Sequence, residues 1–590
     1  MSCFKANKLA VVFLFGCILL DEHVFSKPYD DTINNFRNIQ EVIRQNQDRI
    51  PEGLGLDDLM TAHGQNGGVG TLDPTRGAPW PLPRELKTTN DVLILVKPES
   101  FKFTFDSKNC DLLQTAFTRY YNVIFYGTQE TPQVIKKQAY PWRSPTANET
   151  SLSSLIVTME TCPEYPTLSS NENYTISIAV GNARLKAESI WGVLRGLETF
   201  SQIIYESSDG GLAVNVTTIT DYPRFAHRGL LLDTSRHFIE LPTLLANLDA
   251  MAYNKFNVFH WHIVDDQSFP YQSSKFPELS NEGAYDQRHI YTQDDVSLVI
   301  AYARERGIRV VPEYDTPGHS QSWGSIKDLL TPCYKDGKPT GTFGPINPTL
   351  NSTYVFLKDF FAEVVAKYAD HYIHMGGDEV SFDCWKSNSA ITAFMKEKGF
   401  NDDYAKLEEY YLQNLLEIMS ELKAGYMVWQ EVIDNGVKIG DDIIVHVWKT
   451  KYQNEIAKIT AKGYRTLVSS PWYLNRLLNM FSQDWKTFYK VDPQNFNGTA
   501  AQKSLVIGGE ACMWAEYVDT TNIIQRFWPR ASAVGERLWS SKDLTDANAA
   551  TGRLAEHRCR MVRRGIQAEP VTGPGFCSYE WHSRSHQYLP

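Results

Sequence analysis

Two adjacent carboxylates, Asp378 and Glu379, follow a short apolar run and two glycines in Gly376-Gly-Asp-Glu379. Polar and aromatic residues also follow other short apolar runs: Arg236, then Asp265-Asp266, then Asp315 with His319. Further on come Trp429 with Glu431, Trp448, Trp472-Tyr-Leu-Asn475, and Glu510 with Trp514 and Glu516. Carboxylates, an arginine and several aromatics on one rim describe a sugar pocket, in which flat rings stack on the pyranose and charged groups bind its hydroxyls. A retaining glycosidase with its own nucleophile needs two carboxyl groups on opposite sides of the sugar, roughly 5 Å apart. Sequence neighbours are poorly placed for that. They can serve one sugar together if Glu379 protonates the glycosidic oxygen while Asp378 attends to a neighbouring substituent.

Each residue has a plainer reading taken singly. Trp429 and Trp448 would suit a core, Arg236 a structural ion pair, and the two acids the cap of a following helix; the joint placement carries the argument. A rival chemistry starts from His260-Trp-His262, which puts two histidines on one strand face at the spacing of a metal-ligand pair, with His374 and His446 on other strands. The eighth run offers no Asp ligand, and a metal would leave the aromatics unexplained. No metal and no cofactor is therefore expected, and His260 and His262 read as packed, hydrogen-bonded residues.

The elements that must position these groups are eight short apolar strands: Gly229–Asp233, Phe256–Ile263, Ile308–Glu313, Tyr372–Met375, Tyr426–Trp429, Ile443–Val447, Arg465–Ser469 and Leu505–Gly508. Each leads into a polar loop and most then into a helical segment. That alternation predicts an α/β fold, a (β/α)8 TIM barrel over 222–590, whose active-site side chains gather at the strand C-termini. No Gly-rich phosphate loop opens a helix, which argues against an open doubly wound sheet. Ahead of the barrel, 84–221 reads as a smaller α+β domain, with strands at Asp91–Val96, Leu155–Met159 and Tyr174–Val180 and a helix over Ser189–Tyr205. Residues 27–83, with Gly64-Gln-Asn-Gly-Gly-Val-Gly70 and Pro79-Trp-Pro-Leu-Pro83, read as an attached segment, a linker or pro-region.

The 590 residues are too many for one ordinary core. A net charge of −11 gives no basic footprint for nucleic acid. Lys5 and Lys8 precede an apolar stretch, Leu9 to Leu20, closed by Asp21 and Glu22. Such a stretch is too short for a bilayer, which needs roughly 20 residues, and suits a signal peptide over 1–26. No later stretch suggests a stable membrane span. Five sequons, at Asn148, Asn173, Asn215, Asn351 and Asn497, agree with secretion. Of nine cysteines, seven remain after Cys3 and Cys17, which fits three disulfides and one free thiol; spacing alone does not choose the pairs.

Five runs are long enough to carry a resemblance: His227-Arg-Gly-Leu-Leu-Leu-Asp-Thr-Ser-Arg-His237, Asn257-Val-Phe-His-Trp-His-Ile-Val-Asp-Asp266, Pro312-Glu-Tyr-Asp-Thr-Pro-Gly-His319, His374-Met-Gly-Gly-Asp-Glu379 and Gly508-Gly-Glu-Ala-Cys-Met-Trp514. From about Trp80 onward the chain resembles the family 20 glycoside hydrolases, and within them the animal lysosomal β-N-acetylhexosaminidase subunits. The resemblance implies removal of terminal GlcNAc or GalNAc by substrate-assisted catalysis, with retention through an oxazolinium intermediate. It implies that Glu379 is the acid and that Asp378 holds the acetamido N–H. Tyr473 would bind the acetamido oxygen, and Trp429, Trp448 and Trp514 would box its methyl. Arg236, Asp315 and Glu516 would bind ring hydroxyls, and His319, linked to Asp265, would keep the pKa of Glu379 suitable for an acid. Asn475-Arg476 resembles the subunit type that accepts sulfated sugars. The resemblance also implies pairs Cys110–Cys162, Cys333–Cys384 and Cys559–Cys577, a free Cys512, a dimer, and a lysosomal or secreted location. The alternative is a sugar-binding protein on an inactive barrel, against which the filled acid, partner and Tyr positions argue.

Overall fold

The computed structural model describes residues 75–577 apart from 107–109, 128–143, 148, 209, 438–439, 441, 477–482 and 574. The signal peptide over 1–26, most of the 27–83 segment and the sequon at Asn148 lie outside the described residues.

Seven strands form the first sheet: β1 (Glu85–Leu95), β2 (Lys102–Phe105), β3 (Ser151–Thr158), β4 (Tyr174–Ala179), β5 (Gly181–Ala187), β6 (Tyr205–Glu206) and β7 (Leu212–Asp221). The sheet is mixed: β3 pairs parallel with β1, β2 and β5, whereas β4 and β7 pair antiparallel with their neighbours. In β4 buried and exposed residues alternate, Tyr174, Ile176 and Ile178 facing the helices. Two helices, Asp111–Tyr126 and Ile190–Ile203, cover that face. The second starts where Ser189 accepts a hydrogen bond from Trp191 N–H, and all of its residues are buried. Each large apolar side chain so buried contributes about 1.5–3 kcal/mol.

Eight parallel strands then close a barrel: β8 (His227–Asp233), β9 (Val258–Val264), β10 (Arg309–Tyr314), β13 (Tyr372–His374), β14 (Gly425–Trp429), β15 (Ile443–Val447), β16 (Arg465–Val468) and β17 (Val506–Met513). A hairpin, β11 (Leu330–Lys335) with β12 (Lys338–Ile346), is inserted after β10. Cys333–Cys384 ties it to the segment after β13; Cys110–Cys162 and Cys559–Cys577 also pair, and Cys512 is free and buried.

Strand alternation fills the barrel in layers. Val258, Val311, Tyr372, Met427, Ile444 and Leu467 make an apolar layer. Two residues further along each strand the inward positions become His260, Glu313, His374, Trp429, His446 and Ser469, a polar layer directly beneath the rim. Sheet and barrel meet over buried ion pairs. Glu172 holds Arg195 and Arg228, and Asp221 holds Lys255 at 2.8 Å, with Tyr174 and Trp539 donating to the same carboxylate.

Two expectations need correcting. Trp80, assigned to an attached segment, is fully buried: its backbone N–H donates to Gln202 and its indole N–H to Ser532 O, so this stretch is core. The eighth barrel strand does not stop at Gly508 but runs to Met513, which puts Glu510 inside the barrel rather than on the rim. A charge in mid-strand reads as a strand end unless its buried partners are known. Here they are His227 and His260.

Candidate active site

Gly376 and Gly377 follow β13 in a turn, with φ of 67° and 95°. A Cβ on Gly376 would lie 1.6 Å from Asp315 Oδ1, so only glycine lets the chain pass this carboxylate. The turn leaves Asp378 and Glu379 in opposite environments: the Asp378 side chain is 12 % exposed and that of Glu379 59 %. Glu379 and His319 both hold left-handed backbone, φ 51° and 48°, a strain that collects at functional sites.

Asp378 Oδ1 is buried and has no hydrogen-bond partner. Burial first of all holds the Asp378 carboxyl above the usual range, with His319 pulling the other way. Asp315 was expected among the hydroxyl-binding residues. Instead it is buried behind Asp378, accepts from Gly377 N–H at 2.9 Å, and is raised well above the ordinary carboxylate range by burial and then by the Asp378 charge. Burial and the neighbouring Asp378 charge thus both favour the neutral form of Asp315, while its interaction with Asp378 offsets part of the rise there.

His319 lies 3.6 Å from Glu379, 3.8 Å from Asp378 and 3.2 Å from Asp265. These acids hold its imidazole protonated, against burial. The hydrogen bond from His319 in turn lowers the Glu379 carboxyl. With the site open to water, His319 favours the Glu379 carboxylate, because a cation beside an acid stabilises its charged form. Asp265 is buried and also holds Arg236 at 2.8 Å and His262 at 2.7 Å. Arg236 bridges to Asp233 and lies over the Trp514 ring. Glu516 is exposed on the same rim and acts on Arg236 by charge.

On the other side, Trp429, Tyr473, Leu231 and Cys512 form an apolar group that Trp448 and Trp514 join. Ring centroids lie 6.2 Å apart for Trp448 and Tyr473, and 6.1 Å for Trp429 and Trp514. Asn475 is half-buried, and the exposed Arg476 stacks on the Tyr473 face at 4.9 Å.

Two acids hold this wall from behind: Glu313, which the sequence reading did not single out, and Glu431, which it placed on the rim. Trp429 Nε1 donates to Glu313 at 2.7 Å and Trp448 Nε1 to Glu431 at 2.9 Å. Glu313 also takes His260, His262 and His374, and Glu510 takes His227 and His260. Both nitrogens of His260 and both of His262 are thereby engaged by carboxylates, which leaves neither ring a free lone pair for a metal. The only available signal was alternation along the strands, which points Glu313 and Glu510 inward.

One exposed acid, its shielded neighbour and a small aromatic box can grip a single pyranose ring by its acyl substituent, which defines the class: a glycosidase on a parallel barrel. Residues 225–542 match the glycosyl hydrolase family 20 catalytic domain, and 79–203, which include Trp80, match a domain described as beta-acetyl hexosaminidase like. The beta-hexosaminidase subunit beta of Felis catus is 53 % identical over 512 residues, 85 % of this chain and 94 % of the relative. The subunit alpha of Bos taurus is 51 % identical over 514 residues, 85 % of this chain and 95 % of the relative. Among solved structures, the Flavobacterium johnsoniae chitobiase aligns with a TM-score of 0.71 at 28 % identity, covering 82 % of this chain and 73 % of that one. The Vibrio harveyi exo beta-N-acetylglucosaminidase, at TM-score 0.69 and 21 % identity over 84 % of this chain and 79 % of that one, shares the fold. The chain belongs to glycosyl hydrolase family 20 and is an exo-β-N-acetylhexosaminidase.

Proposed function

We propose that hydrolysis is substrate-assisted, the 2-acetamido oxygen attacking C1 as Glu379 protonates the leaving oxygen. The observation that carries this reading is the opposite burial of the two adjacent acids. Asp378 Oδ1, unpartnered, is the acceptor for the acetamido N–H and offsets the charge that develops on the acetamido carbon. Trp429, Trp448 and Trp514 enclose the methyl, and Tyr473 orients the acetamido oxygen. Arg236 and Glu516 bind ring hydroxyls, while Asp315 supports Asp378. A bound sugar covers Glu379 and excludes water, which raises its pKa against the pull of His319 and readies the proton. The oxazolinium intermediate then opens by attack of water, with Glu379 as base and net retention.

Glu379→Gln and Asp378→Asn test this with 4-methylumbelliferyl β-GlcNAc. Both should lose about 10²–10³ or more in kcat while remaining folded. Wild-type kcat in Asp378→Asn would remove the substrate-assisted reading. The 6-sulfo substrate tests Arg476, whose charge favours an anionic 6-position.

We further propose assembly as a dimer; that the relatives are named as subunits supports assembly with a further chain. A secretory route to a lysosomal or extracellular location is supported by the apolar N-terminal stretch and the sequons. Asn173, Asn351 and Asn497 are exposed; Asn215 is half-buried, its Nδ2 donating to Thr89 O. Among the described residues no helix is long and apolar enough to cross a membrane.

A further inference from the structure

Glu431 follows β14, two residues beyond Trp429, at the start of the short helix Glu431–Asp434. Its side chain is 9 % exposed. One carboxylate oxygen accepts from Trp448 Nε1 at 2.9 Å, and the other lies 2.8 Å from Lys449 Nζ, on a lysine that is itself 43 % exposed. The backbone around it is fixed by Gln430, whose side-chain oxygen accepts from the N–H groups of both Trp448 and Lys449. A buried carboxylate is a costly way to satisfy one indole N–H, which a neutral amide would serve as well. What a carboxylate adds is charge. Glu431 interacts by charge with two other acids: burial and then the Asp378 charge hold it above the ordinary range, and Glu408 is pushed up to about 7 by burial, with the Glu431 charge adding to the shift. Glu431 thus lies between Asp378 and Glu408 in charge interaction, holds the Trp448 wall of the acetamido box through its indole, and is paired with the cation Lys449.

We propose that Glu431 is a positioning residue for the hydrolysis: it fixes the Trp448 wall of the box through the indole N–H, and its buried negative charge adds to that of Asp378 in stabilising the cation that forms during oxazolinium closure. The inference rests on the substrate-assisted reading above. A fixed charge in a site closed to water acts on the developing cation with little reorganisation, so the effect belongs to the transition state and not to the bound sugar.

Glu431→Gln keeps an acceptor for the indole and removes the charge. It should lower kcat about tenfold or more and leave KM within about threefold. The discriminating readout is a pair of inhibitors, the cationic iminosugar 2-acetamido-1,2-dideoxynojirimycin and neutral GlcNAc. The iminosugar should lose about tenfold in affinity and GlcNAc less than about threefold. Equal losses for both, or an unchanged kcat, would overturn the proposal, since a merely structural glutamate disturbs both ligands alike. Glu431→Asp retains the charge but withdraws the oxygen from Trp448; it should lower kcat while preserving the iminosugar-to-GlcNAc affinity ratio. If the Gln variant does not fold, a wild-type kcat in Glu431→Asp overturns the proposal on its own. Asp378→Asn measured alongside separates the two readings: its retention of activity would remove the substrate-assisted mechanism, whereas its loss beside an unaffected Glu431→Gln would remove only the role given to Glu431.

Discussion

His319 is held by three acids and pulls the nearest exposed one, Glu379, toward its ionised form. A general acid works only while it holds its proton, so activity measured from the free enzyme declines as pH rises through the pKa of Glu379. Lowering that pKa moves the decline toward acid. Replacing His319 by Gln removes the cation, so Glu379 rises toward its ordinary range and the descending limb of kcat/KM moves to higher pH. The same change also costs rate, about tenfold or more, because Glu379 loses the group that orients it. A profile from initial rates across acid to neutral pH checks both effects, and a limb that stays in place would show that another group sets it. Sequence alone could name His319 and Glu379 as neighbours but not the sign of their interaction, which depends on the exposure of Glu379 and the burial of His319.

At the scale of the element, the rim was legible because barrel strands place chemistry at one end. The starts of most strands, and the acids and aromatics beyond them, can be read from short apolar runs and what interrupts them. The same signal failed at β17, where Glu510 looks like an interruption but sits in mid-strand against two histidines. It failed again at Trp80, whose proline-rich surroundings resemble a linker although the indole packs beside Tyr489 and Ala533. The helix Asp111–Tyr126 was not anticipated, and its apolar positions, Leu112, Leu113, Ala116, Phe117 and Tyr120, carry the helical period that could have found it. The turn after β13 is where element geometry and chemistry meet most tightly. Gly376→Ala would place a methyl 1.6 Å from the Asp315 carboxylate at a φ of 67°, so the turn must shift and Asp378 with it. The expected outcome is a loss of about 2–4 kcal/mol in denaturant unfolding, together with a loss of activity comparable to that of Asp378→Asn. Near-normal kcat in a folded Gly376→Ala protein would show that the turn does not position the acid.

For the whole molecule, the polar layer inside the barrel makes stability depend on pH. His260 is pushed up to about 9 and His262 to about 10 by Glu510, Glu313 and Asp265, against the burial that opposes protonation. Both are therefore charged in the folded protein, whereas in the unfolded chain they titrate near 6.5. Their contribution is fully present below 6.5, shrinks as pH rises from there, and is gone once pH has passed 10. Glu313 and Glu510 are held well below 4.5, so their contribution is present above 4.5 and fails only as strong acid protonates them in the fold. His227, His374 and His446 pull the other way: burial lowers them, so their contribution is present above 6.5 and is lost as pH falls below it. The opposed trends place the thermal unfolding midpoint at its highest near 6.5. On the alkaline side each proton lost adds a slope of about 1.4 kcal/mol per pH unit. Glu510→Gln takes one partner from His260 and lowers its affinity for the proton. Calorimetry across mild acid to alkaline pH should give that variant a lower maximum and a shallower alkaline decline than wild type. Parallel declines in the two proteins would mean that groups other than the barrel histidines govern the alkaline side.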